Sequence, residues 1–181
     1  MTVIAGVRRA GCVAGLVLVS GCYPALDWRE VPARDGGFAI LLPAKPQRDT
    51  RQVQIGQHAL QMSMLSVRID PFLYGAGYAE LPRSLDHLER ATLLHHARSA
   101  LLKNFGANVA QEPGEARHAT LDGHPCVALN AYPIVATRAI ALSARLCATD
   151  RYFYQIVSLA PRDRAADADA SLFLGSLRLL K

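Results

Sequence analysis

Hydrophobic and polar positions follow three different periods along this chain, and the changes of period divide it. Residues 10–19 form a mostly apolar run broken by Gly11 and Gly15, and Tyr23 to Gly37, "YPALDWREVPARDGG", shows almost no periodicity. "GFAILLPAKP" then reads as a short apolar strand stopped by Pro43 and Pro46. His58 to Ile69, "HALQMSMLSVRI", sets Leu60, Met62 and Met64 against Gln61, Ser63 and Leu65, the two-residue period of a strand with one face better buried. "FLYGAGYAEL" after Pro71 predicts the next strand, bent at Gly75 and Gly77. The period becomes helical from Ser84 to Phe105: Leu94, Ala97, Leu101 and Phe105 share a stripe, widened by Leu88, Ala91 and Leu102. Ser84 is the expected N-cap, Asp86 suits the positive end of the helix dipole, and Gly106 is the stop.

The remainder predicts antiparallel hairpins. A strand near Glu115 to Leu121 meets the turn pair Asp122-Gly123 before "HPCVALNAYP". "AIALSARLCATD" follows a loop near residues 134–138, "RYFYQIVSLAP" follows a tight turn at Asp150, and a last helix over Arg164 to Phe173 leads into "GSLRLLK". If the middle hairpin closes at Ala136-Thr137, Cys126 faces Cys147, Val127 faces Leu146, Leu129 faces Ala144 and Ala131 faces Leu142. A slip of one residue would send one cysteine to the opposite side and mix apolar with polar positions on both faces. Directly opposed Cα atoms lie about 4.5 to 5.5 Å apart, within the reach of a disulfide. The pair is therefore read as a bond, with two small buried thiols as the alternative. The same register continued across Asp150 puts Tyr154 beside Cys147 and Ile156 beside Arg145, leaving apolar area on both faces. Such a sheet needs a covering layer on each side, which the two predicted helices would supply.

The leader changes the picture of where the chain works. Arg8 and Arg9 precede an apolar core about half the length of a bilayer span, and small residues precede Cys22, the anatomy of a secretory signal peptide. Val7 and Ala10-Gly11 fit a twin-arginine export motif poorly. Val19-Ser20-Gly21-Cys22 resembles the bacterial lipobox, in which the cysteine thiol receives a diacylglycerol before cleavage; the alternatives are an ordinary buried cysteine of an uncleaved chain and cleavage nearby by the ordinary signal peptidase. Residues 1–21 are accordingly expected to be a removed signal, 22–37 a lipidated N-terminus and tether, and 38–181 one domain. A tether of 15 residues reaches roughly 50 Å when fully extended. Several acyl chains anchor stably where one does not. Tyr23 after the cysteine, where retention at the inner membrane often uses Asp, favours the outer membrane facing the periplasm. Trp28 is expected to pack on the domain edge, with a membrane-interface anchor as the alternative.

Charge and candidate chemistry narrow the function only slightly. The formal charge is +5, and loss of residues 1–21 removes two arginines and no acids, leaving +3 spread along the chain. No basic run or RNA-binding aromatic motif accompanies it, which argues against nucleic acid. The six histidines, His58, His87, His95, His96, His118 and His124, show no metal-ligand spacing and read as solvated. No Gly-x-Ser-x-Gly elbow is present, the Gly75-x-Gly77 pair lacks the rest of a phosphate loop, and Cys126 is better explained by Cys147 than by catalysis. The expectation is a protein without catalytic residues, cofactor or metal.

The opening strand "GFAILLPAKP", the "YAELP" segment before the long helix, the "LDG" turn, "RYFYQIV" and the closing "LFLGSLRLL" together resemble the secreted bacterial relatives of the PsbP/DcrB-type sandwich, from about Gly37 to Lys181. The resemblance implies an α+β fold, an antiparallel sheet with helices packed on both faces (an α/β/α sandwich). It also implies a non-catalytic envelope lipoprotein that serves as a protein-binding or assembly accessory. Phe72, Tyr74 and Tyr78 are offered as a contact surface for an envelope protein partner, although a place in the core is the favoured reading of these aromatics. The rival function is a periplasmic carrier of a small molecule or lipid, held in a pocket between sheet and helix.

Overall fold

The computed structural model describes residues 26–82, 85–106 and 117–181. Its strands are β1 (Arg29–Ala33), β2 (Phe38–Leu42), β3 (Gln47–Ile55), β4 (His58–Ile69), β5 (Phe72–Glu80), β6 (Arg117–Leu121), β7 (His124–Ala131), β8 (Ile134–Val135), β9 (Arg138–Ala148), β10 (Tyr152–Pro161) and β11 (Arg178–Leu179). The helices are α1 (His87–Asn104) and α2 (Ala170–Gly175), with 3₁₀ segments at Arg34–Gly36 and Arg162–Ala168. The large sheet runs β3-β4-β5-β10-β9-β7-β6, with β8 paired to β9; a second sheet runs β1-β2-β11. All the pairings are antiparallel.

Alternation along each strand divides the core in two. Leu60 and Met62 of β4, Phe153 and Val157 of β10, and Leu142, Ala144 and Leu146 of β9 pack under Leu93, Leu94, Ala97, Leu101 and Leu102 of α1. The opposite face, with Leu65, Tyr74, Tyr154, Ile156, Cys126 and Cys147, is covered by Phe38, Ile40 and Leu42 of the small sheet, and by Ala168 and Phe173. The expected sandwich is thus corrected on this side. One long helix covers the first face, and a three-stranded sheet with short helical segments covers the second. The helix expected over Arg164 to Phe173 breaks at Asp169, whose φ of 45° is left-handed and cannot continue a right-handed turn.

Part of the stretch expected to be tether is folded. Val31 pairs with Ile40 and Arg29 with Leu42, so residues expected to be linker up to Gly37 form an edge strand of the domain. Trp28 packs edge-on to Tyr74 at 5.3 Å and stacks with Phe173 at 6.3 Å, as the packing reading expected. Cys22 lies outside the described residues, as does Ser84.

Asp86 caps α1. Its side chain accepts from the Glu89 backbone N–H at 2.8 Å, and the Glu89 carboxylate accepts from the Asp86 N–H at 2.8 Å, a reciprocal capping box. Leu88 and Ala91, placed on the buried stripe from sequence, are exposed, and Leu93 and Arg90 are buried instead. Leu88 precedes Ala97 by nine residues, about two and a half turns, which sets it on the far side of the helix. Arg90 survives burial by bonding: it donates to the Leu85 carbonyl at 3.1 Å, meets His87 Nδ1 at 3.2 Å, and lies 3.3 Å from the Asp150 carboxylate.

β5 does not bend at its glycines. Gly75 and Gly77 lie within a continuous strand paired on both sides, and they admit the side chains of Met62 and Met64. A Cβ at Gly77 would come within 3.1 Å of the Met62 sulfur and closer still to that of Met64. Small residues are needed there because flexible thioethers fill the space above them.

Candidate functional site

The hairpin of β7 and β9 has the register that its sequence pattern predicts: Cys126 faces Cys147, Val127 faces Leu146, Leu129 faces Ala144 and Ala131 faces Leu142. Cys126 and Cys147 are disulfide-bonded, with Cα atoms 4.1 Å apart. The chain reverses at Ala136 and Thr137, both at positive φ, and Val135 pairs with Arg138. Tyr154 sits opposite Cys147 on the next strand and Ile156 opposite Arg145.

Of the aromatic residues offered as a contact surface, Phe72 and Tyr74 take the core places that the favoured reading assigns them. Phe72 and Tyr74 are buried in the second core, so neither is available as a docking surface; the strand's alternation puts both on the covered face. Tyr78 is partly buried, 5.6 Å from the ring of Phe38 and 6.4 Å from that of Tyr152. Their work is to attach the covering layer. Tyr74 donates from its hydroxyl to the Ala168 carbonyl at 2.9 Å, Tyr154 to the Gly36 carbonyl at 2.8 Å, and Tyr152 to the Asp35 carbonyl at 3.0 Å. Burial, aided by the Asp169 carboxylate, pushes the Tyr74 phenol up to about 12, and burial raises Tyr154 as well. Sequence reasoning missed these hydroxyl bonds, because their acceptors are backbone carbonyls more than 90 residues away. Across the small sheet, from β11 over β2 to β1, Arg178 donates two bonds to Glu30 at 2.7 and 2.9 Å, and this bonding holds the Glu30 carboxyl below its ordinary value.

Two of the clefts beside α1 carry histidines. One, of about 380 Å³, lies between the β3–β4 turn and the helix, with Gly56, His58, Glu89, Leu93 and His96 around it and exposed Leu88 at its rim. The other, of about 230 Å³, gathers His95, Arg98, Arg117 and His118 between α1 and β6. His95, His96 and His118 are exposed and belong to these rims. No group of three His, Cys, Asp or Glu side chains is placed to hold a metal ion among the described residues. Nor is any described helix long and apolar enough to cross a membrane.

The most exposed apolar group after Leu88 is the tip of the β7–β9 hairpin. Ile134 is 71% exposed, Tyr132 42% and Val135 39%. The Arg162 guanidinium lies 4.7 Å over the Tyr132 ring, and an open cleft of about 600 Å³ beside it is lined by Arg138, Ala139, Pro161, Arg162 and Asp163.

No protein-family model and no curated protein matches the sequence. Solved structures match its fold. The cyanobacterial PsbP of Synechocystis (CyanoP) aligns with a TM-score of 0.56 at 11% identity, over 88% of this chain and 95% of its own. The fold is PsbP-like. LpqN, a protein involved in cell envelope biogenesis of Mycobacterium tuberculosis, aligns with a TM-score of 0.50 at 15% identity, over 85% of this chain and 91% of its own. At these identities the PsbP-like likeness concerns the fold, which is the α+β arrangement with a large antiparallel sheet described above.

Proposed function

We propose that this PsbP-like domain is a non-catalytic accessory module of the bacterial envelope, anchored by acylation of Cys22 and working through a protein partner. One observation carries the reading: Leu26, four residues after the cysteine of a lipobox-like sequence, already packs against the second core. The lipid and the domain are then directly coupled, as expected of a protein whose task is to hold or assemble something at a membrane. The envelope role of LpqN on the same fold supports the reading. Tyr23 after Cys22 favours the outer membrane, with the domain in the periplasm, where an oxidising environment sustains the Cys126–Cys147 bond.

A native pull-down from detergent-solubilised envelope tests it. A stoichiometric protein partner is the expected result. A co-purifying lipid or metabolite without a protein would instead favour carriage, a reading whose support is the cleft of about 380 Å³ between α1 and the β3–β4 turn. That volume falls within the range of small-molecule sites.

A further inference from the structure

Strand direction places several separate features at one end of the large sheet. β5 starts there at Phe72, β10 ends there at Pro161, and β9 starts there at Arg138, which brings the β7–β9 tip to the same end. β1 begins with Arg29 opposite Leu42, and Trp28 just before it packs on Tyr74, so the start of β1 also lies at this end. Between β5 and β9 stands only β10, and neighbouring strands are about 4.8 Å apart. The exposed tip is therefore close to the point at which the chain from Cys22 arrives.

From this juxtaposition we infer that the hairpin tip Tyr132–Arg138, with Arg162, is a membrane-contact surface that docks on the anionic phospholipid headgroups of the bilayer holding the anchor. The inference rests on the acylation of Cys22 proposed above. Four residues from Cys22 to Leu26 span at most about 14 Å, so this end of the domain is held at the bilayer surface. What it presents there has the composition of an interfacial insertion: Ile134 and Val135 stand out apolar, Tyr132 offers an amphipathic ring, and Arg138 and Arg162 flank them. Aromatic and cationic side chains of this kind sit at headgroup level. Charge orients the domain in the same sense. Near the tip Lys45, Arg68, Arg138 and Arg162 outnumber Asp70 and Asp163, while Arg164 is paired with Asp167. Around the opposite end, at the α1 N-terminus and the turns before β7 and β10, Glu80 is paired with Arg151 and Asp150 with Arg90, and Asp86, Glu89 and Asp122 stand beside them, so acids are in excess there.

The test uses the full acylated protein, extracted from its native membrane and reconstituted in vesicles of phosphatidylethanolamine and phosphatidylglycerol. An environment-sensitive fluorophore is attached at Ile134→Cys in one sample. In another it is attached at Gln57→Cys, in the β3–β4 turn at the far end, and lipid-borne quenchers are added. The expected result is quenching at position 134 and none at position 57. Arg138→Gln or Arg162→Gln weakens the tip contact about fivefold each, and neutral phosphatidylcholine vesicles weaken it at least as much. Protein that floats with the vesicles while both positions stay unquenched overturns the docking and leaves the anchor standing. Failure to float overturns both. Protection of position 134 in native envelope but not in pure-lipid vesicles assigns the tip to a protein and also overturns the inference.

Discussion

Opening the Cys126–Cys147 bond tests the packing account most sharply, because the perturbation changes the unfolded chain more than the folded one. The two residues are 21 positions apart and almost fully buried between the large sheet and its covering layer. Closing a loop of that size removes conformational entropy from the unfolded chain worth about 3 kcal/mol on the chain-entropy model. For a chain of this length, 1 kcal/mol moves the thermal midpoint by about 2–4 °C, so the reduced protein should melt roughly 6–12 °C lower. Protein refolded under reducing conditions keeps both sulfurs in place and isolates the cross-link. The paired variant Cys126→Ala with Cys147→Ala also loses their packing and should fall at least as far. Calorimetry of the oxidised, reduced and doubly substituted proteins supplies the comparison. Equal midpoints for the oxidised and reduced forms would refute the reasoning, since they would mean that the bond constrains nothing the unfolded chain explores.

Other perturbations probe the covering layer and the helix cap. A Cβ at Gly36 would lie 2.6 Å from the Tyr78 ring and 2.9 Å from that of Phe38, so Gly36→Ala should cost about 1–3 kcal/mol in urea denaturation. Tyr74 binds its proton up to about pH 12, whereas an unfolded tyrosine releases it near 10. Stability from this group is complete below pH 10 and is lost as the pH rises through 12, because the unfolded chain deprotonates first. Urea midpoints measured across that range should fall, and Tyr74→Phe should flatten the fall while costing about 1 kcal/mol at neutral pH. Asp86→Ala removes the acceptor of the α1 capping box and should destabilise by about 1 kcal/mol, read from the same denaturation curves.

How much of this was legible in the sequence depended on where each signal was stored. The β7–β9 register was readable because apolar pairing and cysteine parity agreed, and because one face is buried along the whole hairpin. β4 and β5 announced themselves by alternation for the same reason. β3 did not: it is an edge strand whose residues Gln47 to Gln52 are all exposed, so no apolar period marks it. β1 and β11 were obscured because their pairing to β2 is long-range and neither carries an apolar run. Gly75 and Gly77 read as a bend, since sequence cannot show that Met62 and Met64 would lie above them. Phe72 and Tyr74 could be weighed as core or as contact surface from sequence, but what covers Tyr74 could not be named, because Phe173 and Trp28 pack on it from distant segments. The exposed tip at Ile134 had no period to reveal it; only the topology brings it to the end of the sheet at which β1 starts.

The proposed acylation of Cys22 would couple all of this to a membrane, and intact-mass analysis of the protein extracted from native envelope tests it directly. The account predicts a chain running from Cys22 to Lys181 that carries a diacylglyceryl group on the sulfur and a further acyl chain on the new amino terminus. A mass showing the leader still attached, cleavage at another position, or Cys22 without lipid would contradict it.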